Sequence, residues 1–396
     1  MKKTLVSFYV LLLTFAGSSA HAFSDKIYKE LETFSKILQI VDKNYVEQPD
    51  EKELMAGAIR GMLMTLDPHT VYFPAEIYRD FKSDTEGRFG GVGIEVSMKD
   101  GLITVIAPIE GSPAARAGIQ TDDKILMING KITKGMDLGD AVHMMRGPLG
   151  RKLTLSVWHK GMKQPRDVEL TREVIKVASV ISEDLGDNVA YFRITSFQEG
   201  TGKSLGQAIE KFKNGHAGKI SGIMLDLRDN PGGLLIEAVQ VCNLFLDNGV
   251  IVSTKGRDKV QEVHRATAVG TLPNYPLIVL INGGSASASE IVAGALQDQN
   301  RAKLIGTRSY GKGSVQTVIN LDDGDALKMT IAKYYTPNNR MIDGKGINPN
   351  IWAGKNEFQK KLQTLKKTIP AESKEEYEAY REFQKQEALT YIKKMK

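Results

Sequence analysis

Apolar residues follow two different periods along the chain. Within residues 23–86 they recur every three to four positions, which is typical of amphipathic helices. Within residues 173–353, short continuous apolar runs alternate with helical stretches, as in a sheet buried between helices. The pattern predicts a helical region followed later by an α/β domain. The helical positions are Ile27, Leu31, Phe34, Leu38 and Val41, then Leu54, Ala58, Met62 and Leu66, and the apolar runs are 189–194, 223–227 and 277–280.

Two further regions complete the predicted organisation. Residues 87–172 contain glycine loops and short strand-like runs, which predict a small β-rich module. Residues 354–396 are charged and helical in pattern, and we expect a peripheral C-terminal helical tail. The helices of residues 23–86 have two open roles, since an apolar face can pack on the rest of the chain or form a dimer arm.

Residues 1–22 have the pattern of a secretory signal peptide. A charged start, Met1-Lys2-Lys3, precedes the apolar stretch 5–15, and Ala20-His21-Ala22 supplies the small residues of a cleavage site. The apolar stretch is short for a membrane span, and no lipid-anchor cysteine follows it. We therefore expect cleavage near Ala22 and export to a periplasmic space.

Composition argues against several classes of protein. The net charge of +6 comes with lysine pairs near the C-terminal end, not with a basic patch interleaved with aromatic residues, so nucleic-acid binding is not expected. Cys242 is the single cysteine, which allows no internal disulfide, and we expect it in the core. The histidines are scattered and no zinc-binding motif occurs, so we expect neither a metal site nor a cofactor.

A serine-rich turn between a strand and a helix carries the clearest chemical signal. The strand predicted at 277–281 leads through Gly283-Gly284 and three serines into a helix expected over about 286–297. Ser287 would stand half-exposed in the positive field of the helix N-terminus, which favours its alkoxide. The same residues fit a capping box, in which Ser287 caps the helix and Glu290 reaches back. The glycines favour catalysis, because a cap alone does not need a close approach of two backbones.

Two other segments would complete a hydrolase site. Lys312 lies between two glycines and leads into an apolar stretch, so burial could leave it neutral and able to accept a proton. In an extended segment, Lys312 and Gln316 would share one face. The turn at Gly232-Gly233 follows another apolar strand, and one of its N–H groups, with that of Ala288, would form an oxyanion hole. The sequence leaves open which of the two glycines donates.

Three segments resemble, in this order, the signatures of the carboxyl-terminal processing, or tail-specific, serine protease family. They are DLRDNPGG at 226–233, SASASE at 285–290 and GKGSVQ at 311–316. The resemblance implies a serine endopeptidase with an α/β protease core. It assigns the nucleophile to Ser287, the general base to Lys312 and the orientation of that lysine to Gln316. The 25-residue spacing from Ser287 to Lys312 is also that of the family.

The glycine-rich series within residues 87–172 resembles a PDZ domain, a β-barrel-like module. Exposed N–H groups of its first glycine loop can capture a terminal carboxylate, and the following strand edge can add a peptide as an extra strand. Arg146 resembles an arginine that some relatives use to couple PDZ docking to the active site. The segments of the series are 90–96, 111–119 and 122–130, and the expected tail-binding residues are Gly91, Val92, Gly93, Ile94 and Met145.

Other interpretations stand beside the protease. Residues 202–206 match the nucleophile-elbow pattern around Ser204, and a Ser-His-Asp triad could use His216 or His264. A PDZ-based adaptor with low or adaptor-dependent proteolysis and a hydrolase of small esters are further alternatives. For the protease, we expect protein substrates with apolar C-terminal tails and self-association as a dimer or larger oligomer. The sequence leaves open whether a lipoprotein adaptor takes part.

Overall fold

The computed structural model describes residues 25–109, 111–159, 161–257, 261–370 and 373–395, and these fall into two compact units that divide after Leu66. The helices are α1 (Asp25–Asn44), α2 (Glu51–Met64), α3 (Ala75–Glu86), α4 (Pro113–Arg116), α5 (Leu138–Met145), α6 (Thr201–Gly215), α7 (Leu235–Asn243), α8 (Ala288–Asp298), α9 (Lys355–Thr364) and α10 (Lys374–Lys394). The strands are β1 (Val71–Phe73), β2 (Arg88–Gly91), β3 (Ile94–Lys99), β4 (Leu102–Pro108), β5 (Lys124–Ile128), β6 (Lys131–Ile132), β7 (Lys152–Trp158), β8 (Arg166–Thr171), β9 (Glu173–Lys176), β10 (Val180–Asp184), β11 (Val189–Ile194), β12 (Gly222–Asp226), β13 (Val250–Gly256), β14 (Gln261–Arg265), β15 (Leu277–Ile281), β16 (Lys303–Gly306), β17 (Ser314–Asn320), β18 (Ala326–Tyr335) and β19 (Ile351–Trp352).

The first unit contains α1 and α2, as the helical spacing predicts. Asp50 caps α2, because its carboxylate accepts the backbone N–H of Glu53 at 3.0 Å. The apolar stripe of α1 stays exposed to solvent, with Ile27, Leu31 and Phe34 among its exposed side chains. This helix therefore presents an apolar face that is available for contact.

A six-stranded sheet forms the centre of the second unit, in the order β10-β11-β12-β15-β16-β19. The five strands β11, β12, β15, β16 and β19 run parallel to one another, and β10 pairs antiparallel with β11 at the edge. Successive residues point to opposite faces, so Leu225 packs with residues of α6, α7 and α8, whereas Met224 packs with residues of α10. Because both faces are buried, the strands read as continuous apolar runs. The parallel sheet with helices on both faces fits the α/β core that the sequence predicts.

A second sheet contains the long β17–β18 hairpin. Its residues Ile251, Val252 and Tyr334 pack in the same buried cluster as Leu225 and the helices α6, α7 and α8. Its path is β1-β18-β13-β14, with β17 also paired to β18. The prediction that residues 23–86 are helical throughout is wrong at β1, where Val71 pairs with Lys328 of β18. A three-residue strand gives too short a pattern to recognise, and it exists because a distant strand supplies its hydrogen bonds.

Residues 88–176 form the separate β module expected from the glycine loops. Its sheet has the order β3-β4-β5-β7-β8, with β6 paired to β5, around its own buried cluster. Asp137 caps α5, which packs beside β3. β2 begins the module in sequence and β9 ends it, and these two strands pair as an antiparallel ribbon. In the described part of the chain, β3 is an edge strand of its sheet, which leaves one side open for another strand.

The C-terminal helices belong to the core, so the prediction of a peripheral tail is wrong. Ala388 and Ile392 of α10 are fully buried against the six-stranded sheet. A side chain at Gly222 of β12 would place its Cβ 2.4 Å from Ile392 Cγ2, so the helix sits directly on the strand. Charged residues such as Glu375, Glu378 and Glu382 lie on its outer face. The predicted signal peptide, residues 1–22, lies outside the described residues.

Candidate active site

Ser287 stands at the junction between a buried strand and a helix. β15 ends at Ile281, α8 begins at Ala288, and Ser287 is the N-cap with φ 53° and ψ −113°. A positive φ is uncommon for a residue with a side chain and marks a backbone that its surroundings must hold in place. The side chain is half-buried, as predicted. The turn therefore presents a serine hydroxyl at the N-terminus of a buried helix.

Two glycines let neighbouring loops pack against this turn. A Cβ at Gly284 would lie 2.8 Å from Asp229 Cα, and one at Gly232 would lie 2.7 Å from Ser287 Cβ. Hydrogen bonds join the same loops, because Asn282 Nδ2 donates to Asp229 Oδ1 at 2.8 Å. The close backbone approach expected from Gly283-Gly284 is thus real at Gly284, while Gly283 faces open space.

The carboxylate of Glu290 joins the serine loop to the lysine loop. It is fully buried, and its Oε2 accepts the backbone N–H of Ser287 at 2.9 Å and that of Lys312 at 2.8 Å. Its Oε1 accepts the Ser309 hydroxyl at 2.5 Å and the Gly311 N–H at 2.7 Å. Burial raises the pKa of Glu290, and these hydrogen bonds partly offset the effect. The Glu290 carboxylate therefore caps the helix, as the capping box predicts. It also fixes the distance between the backbone of Ser287 and the backbone of Lys312.

The three predicted catalytic side chains line one cleft of about 480 Å³. Ser287 precedes α8, Lys312 lies just before β17, and Gln316 lies within β17. Lys312 is half-buried, and Gln316 Nε2 donates to Ser314 Oγ at 2.8 Å. In the part of the chain that the structure describes, no hydrogen bond joins the Ser287 hydroxyl to the Lys312 ammonium. Hydrogen bonds of this kind are often long before substrate binds. The apolar wall is formed by Phe81, Phe197, Leu234, Leu235, Val315, Val318 and Tyr334.

The Gly232-Gly233 turn lies beside Ser287, and its two N–H groups differ. The N–H of Gly232 donates to Asn230 Oδ1 at 2.9 Å, and Gly232 is buried. Gly233 is exposed to the cleft, has φ 141° and lies against Phe197, whose carbonyl oxygen would be 2.3 Å from an added Cβ. Ala288 is the first residue of α8, where helical N–H groups have no partner within the helix. The turn therefore offers Gly233 and Ala288 as donors.

A buried network of ion pairs, which the sequence did not predict, lies beside the segment that leads into the Gly232-Gly233 turn. Arg228 is buried and binds Asp226 through two nitrogens, at 2.9 and 2.6 Å. Arg381 of α10 contacts Asp226 at 3.2 Å and also pairs with Asp229. Burial would raise the pKa of Asp226, but the arginines hold it below its usual value. The signal was the charged DLRD segment directly after an apolar strand.

A second lysine lines the cleft, also unforeseen. The Lys328 ammonium lies 5.3 Å from the ring centroids of both Phe73 and Phe81. Those rings stack with centroids 5.1 Å apart. Burial and then the charge of Lys312 lower the pKa of Lys328. Lys328 is an ordinary strand lysine in the sequence, so only its placement reveals it.

The predicted tail-binding residues come together at one end of the β module. Gly91, Val92 and Gly93 are buried, and a Cβ at Gly93 would lie 2.3 Å from Ser112 Cβ. Ile94 begins the edge strand β3, and Met145 is buried at the end of α5. The glycine loop, strand edge and helix expected of a peptide groove are therefore adjacent.

Arg146 contacts the helix that borders the cleft around Ser287. Its guanidinium binds Asp84 at 2.7 Å and lies 4.3 Å from the ring centroid of Phe89. Asp84 belongs to α3, and Asp84, Phe81 and Thr85 line the cleft that contains Ser287. His143 of α5 contacts the same helix through Asp80 at 3.0 Å. α3 thus contacts the end of α5 in the β module and lines the cleft that contains Ser287.

The competing nucleophiles and bases lie elsewhere. Ser204 is exposed within α6, so residues 202–206 form a helix and not a nucleophile elbow. His216 binds Asp184 at 2.9 Å at the end of α6, and hydrogen bonds to Phe212 and Asp184 raise its pKa. Neither His216 nor His264 lines the cleft around Ser287.

Cys242 is fully buried in α7, as predicted, and burial raises the pKa of its thiol. Among the described residues, no cluster of metal-ligating side chains is found, and no helix has the length and apolarity needed to cross a membrane.

Three segments of the chain match models of known protein families. Residues 188–353 match the model of peptidase family S41, residues 104–159 that of a PDZ domain, and residues 14–77 that of the activating protease CtpB N-terminal domain. The fold and site therefore define a PDZ-bearing peptidase.

Relatives identify the family. A carboxy-terminal-processing protease of Bartonella bacilliformis is 46% identical over 342 residues, covering 86% of this chain and 79% of that protein. The carboxy-terminal processing protease CtpA of Bacillus subtilis is 36% identical over 371 residues, covering 89% and 78%. A solved structure of a photosystem II D1 C-terminal processing protease is 28% identical with a TM-score of 0.49, covering 84% of this chain and 89% of the other. The chain belongs to the carboxy-terminal processing proteases of peptidase family S41.

Proposed function

We propose that this protein is an exported serine endopeptidase that cleaves proteins near their C-terminus by a Ser-Lys mechanism. The observation that supports it best is that Ser287, Lys312 and Gln316 line one cleft, with Glu290 bridging the backbones of the first two. A peptidase needs a nucleophile, a base and donors for the oxyanion around one carbonyl group. The cleft offers all three kinds of group.

In this mechanism Ser287 Oγ attacks the scissile carbonyl carbon while the neutral amine of Lys312 takes the hydroxyl proton. The oxyanion accepts the N–H groups of Ala288 and Gly233, because the Gly232 N–H is already bound to Asn230. Lys312 then protonates the leaving amine nitrogen, and the acyl group remains on Ser287 as an ester. A water molecule attacks this ester, Lys312 takes the water proton, and the proton returns to Ser287 Oγ as the product acid leaves.

Gln316 has the role of orienting Lys312 without adding charge. Its Nε2 is bound to Ser314 Oγ, which leaves the amide oxygen to accept a hydrogen bond from the lysine amine. A carboxylate in this place would stabilise the protonated lysine instead.

The substrate tail would add to β3 as an extra strand. Its terminal carboxylate would meet the N–H groups of the loop formed by Gly91, Val92 and Gly93. Its last side chain would enter the apolar site beside Met145. Arg146 would couple tail binding to the cleft, because it pairs with Asp84 of α3 and Asp84 lines the cleft. The edge position of β3 supports this docking mode.

Incubation with a protein substrate bearing an apolar C-terminus, beside a C-terminally amidated control, followed by mass spectrometry, tests the function. We expect tail-dependent cleavage that Ser287→Ala and Lys312→Ala each abolish while the proteins stay folded. Ser204→Ala and His216→Ala are matched controls and should stay active. Full activity of Lys312→Ala would refute the mechanism. Tail capture by the Ser287→Ala protein, with no cleavage by the wild type, would favour the PDZ adaptor, and added lipoproteins would reveal an adaptor requirement.

We also infer that α1 mediates self-association as a dimer or larger oligomer, because its apolar side chains are exposed. Light scattering after gel filtration should give a multimeric mass that Leu31→Glu with Phe34→Glu lowers. A monomeric mass for the wild type would contradict this. Export is tested by fractionating cells that express the full chain.

A further inference from the structure

Asp229 and Asn282 join the two turns on which the proposed chemistry depends. Asp229 lies between β12 and the Gly232-Gly233 turn, and Asn282 lies between β15 and Ser287. Two hydrogen bonds connect them in opposite directions. The backbone N–H of Asp229 donates to Asn282 Oδ1 at 2.9 Å, and Asn282 Nδ2 donates to Asp229 Oδ1 at 2.8 Å. The Asn282 side chain is therefore bound to both the backbone and the side chain of Asp229.

Asn282 also holds the serine turn to which it belongs. Its Oδ1 accepts the N–H of Gly284 at 3.0 Å, and its backbone N–H donates to Ser285 Oγ at 3.0 Å. The Ser285 hydroxyl is buried and donates to Leu227 O at 2.7 Å. The backbone from Asn282 to Ser285 is thus held in place directly before Ser287.

The second carboxylate oxygen of Asp229 is bound to α10. The Tyr377 hydroxyl donates to Asp229 Oδ2 at 2.6 Å, and Arg381 pairs with the same oxygen. Asp229 has φ 58°, which is uncommon for a residue with a side chain and depends on surrounding contacts. Its carboxylate therefore accepts a donor from the serine turn on one oxygen and donors from α10 on the other.

Neither Asp229 nor Asn282 lines the cleft that contains Ser287, so the two side chains can act on the reaction only through the backbone. Gly233 lies four positions after Asp229, and Ser287 lies five positions after Asn282. Reaction requires the reacting atoms to be held about 3–3.5 Å apart in the correct direction. A small shift of one turn against the other would therefore slow the reaction without removing any group that contacts the substrate.

We propose that Asp229 and Asn282 are positioning residues that fix the serine turn against the turn that offers the oxyanion donor. This rests on the proposed roles of Ser287 as nucleophile and Gly233 as donor. The order of donor and acceptor matters, because an amide at position 282 and a carboxylate at position 229 satisfy the donors on both sides. A contact from the Ala286 N–H to Asn230 O at 3.0 Å also joins the turns, so variants of the pair should still fold.

Exchanging the two side chains tests the proposal. Asn282→Asp places two carboxylates opposite each other where a 2.8 Å hydrogen bond stood, and like charges repel. Asp229→Asn leaves one acceptor oxygen for donors on two sides. The double variant Asp229→Asn with Asn282→Asp restores the pattern, since the amide at position 229 can donate to the carboxylate at position 282. The oxygen of that amide can still accept from α10.

The measurement is kcat and KM of the full-length chain on a protein substrate with an apolar C-terminus. Each single variant should lower kcat about 10- to 100-fold, since a misplacement of about 1 Å costs about 100-fold. KM should change less than about twofold, because neither residue contacts the substrate. The double variant should recover kcat to within about threefold of the wild type, as expected for two residues that interact directly.

Gln359→Glu is the matched control. Gln359 Nε2 donates to Glu376 Oε1 at 3.1 Å and joins α9 to α10, but Gln359 does not line the cleft. The variant also places one carboxylate opposite another, so it should lower stability in urea unfolding and keep the wild-type kcat. If Asn282→Asp does not fold, Asp229→Ala, Asn282→Ala and their combination replace the exchange. The combined alanine variant should then be about as slow as the slower single one.

Wild-type kcat in both single variants, with or without lower stability, would leave the pair a structural role alone and overturn the proposal. A double variant whose loss equals the product of the two single losses would overturn it as well. Failure of the proposed function would appear differently, as cleavage that persists in Ser287→Ala. An inactive Ser287→Ala beside unchanged kcat in the variants of Asp229 and Asn282 would refute only the positioning role.

Discussion

Alanine at Gly232 should disable the active site more than it destabilises the fold. Its φ of 102° is costly for a residue with a side chain, and the added Cβ would lie 2.7 Å from both Ala286 O and Ser287 Cβ and 3.0 Å from Ala288 N. The backbone strain costs about 1–3 kcal/mol, and relieving the contacts costs about 1–3 kcal/mol more. The atoms that must move by several tenths of an ångström belong to Ser287, the proposed nucleophile, and to Ala288, a proposed oxyanion donor.

The chain contains a control for the strain alone. Gly161 has φ 101°, and an added Cβ would meet no atom within 4 Å. Gly161→Ala should lose about 1–3 kcal/mol in urea unfolding and keep kcat/KM. Gly232→Ala should lose more stability, and its kcat/KM should fall by up to about 100-fold, since about 100-fold is the loss for a misplacement of about 1 Å. Wild-type kcat/KM in Gly232→Ala would refute the placement of this glycine against Ser287.

Three further predictions concern the surroundings of the site. Glu290→Gln replaces an acceptor oxygen by an NH₂ group facing backbone N–H donors, so kcat should fall about 100-fold with little change in KM; an unchanged kcat would contradict the bridging role. Asp226 has a folded-state pKa below its unfolded value, so it stabilises the fold at neutral pH and this contribution is lost as the pH falls through the acid range. Asp226→Asn should therefore cost about 3–5 kcal/mol at pH 7 and show a shallower loss of stability toward acid pH than the wild type; parallel curves would argue against it. Arg146→Ala should remove the stimulation of cleavage by an apolar tail but spare a short peptide without a tail, whereas Lys152→Ala, in an exposed pair with Glu169, should change neither.

The sequence predicts which residues meet in this cleft, because each of them lies in a short contiguous motif. Ser287 follows a strand and a glycine turn, and Lys312 and Gln316 share one short segment, so each is visible within a few residues. The continuous apolar runs of β11, β12 and β15 likewise predict a sheet that is buried on both faces.

The supporting contacts could not be predicted, because each joins segments that are distant in the chain. Glu290 resembles an ordinary capping residue until the loop at 309–312 closes on it. Arg381 lies in a charged helix, and nothing near it in sequence indicates Asp226 as its partner. β1 is too short for its pattern to be read, and it appears only when β18 provides hydrogen bonds.

The dependence of the oxyanion turn on α10 sets the order in which a working enzyme can arise during synthesis. Arg381 and Gln384 reach Asp226 and Arg228 across more than 150 positions of sequence. When the ribosome has made Ser287 and Lys312, Arg381 and Gln384 are still untranslated. The turn that carries Gly233 then lacks the contacts that these two residues make with Asp226 and Arg228. We therefore expect the proposed proteolytic activity to require α10, so that a nascent chain ending before this helix is inactive although it contains Ser287 and Lys312.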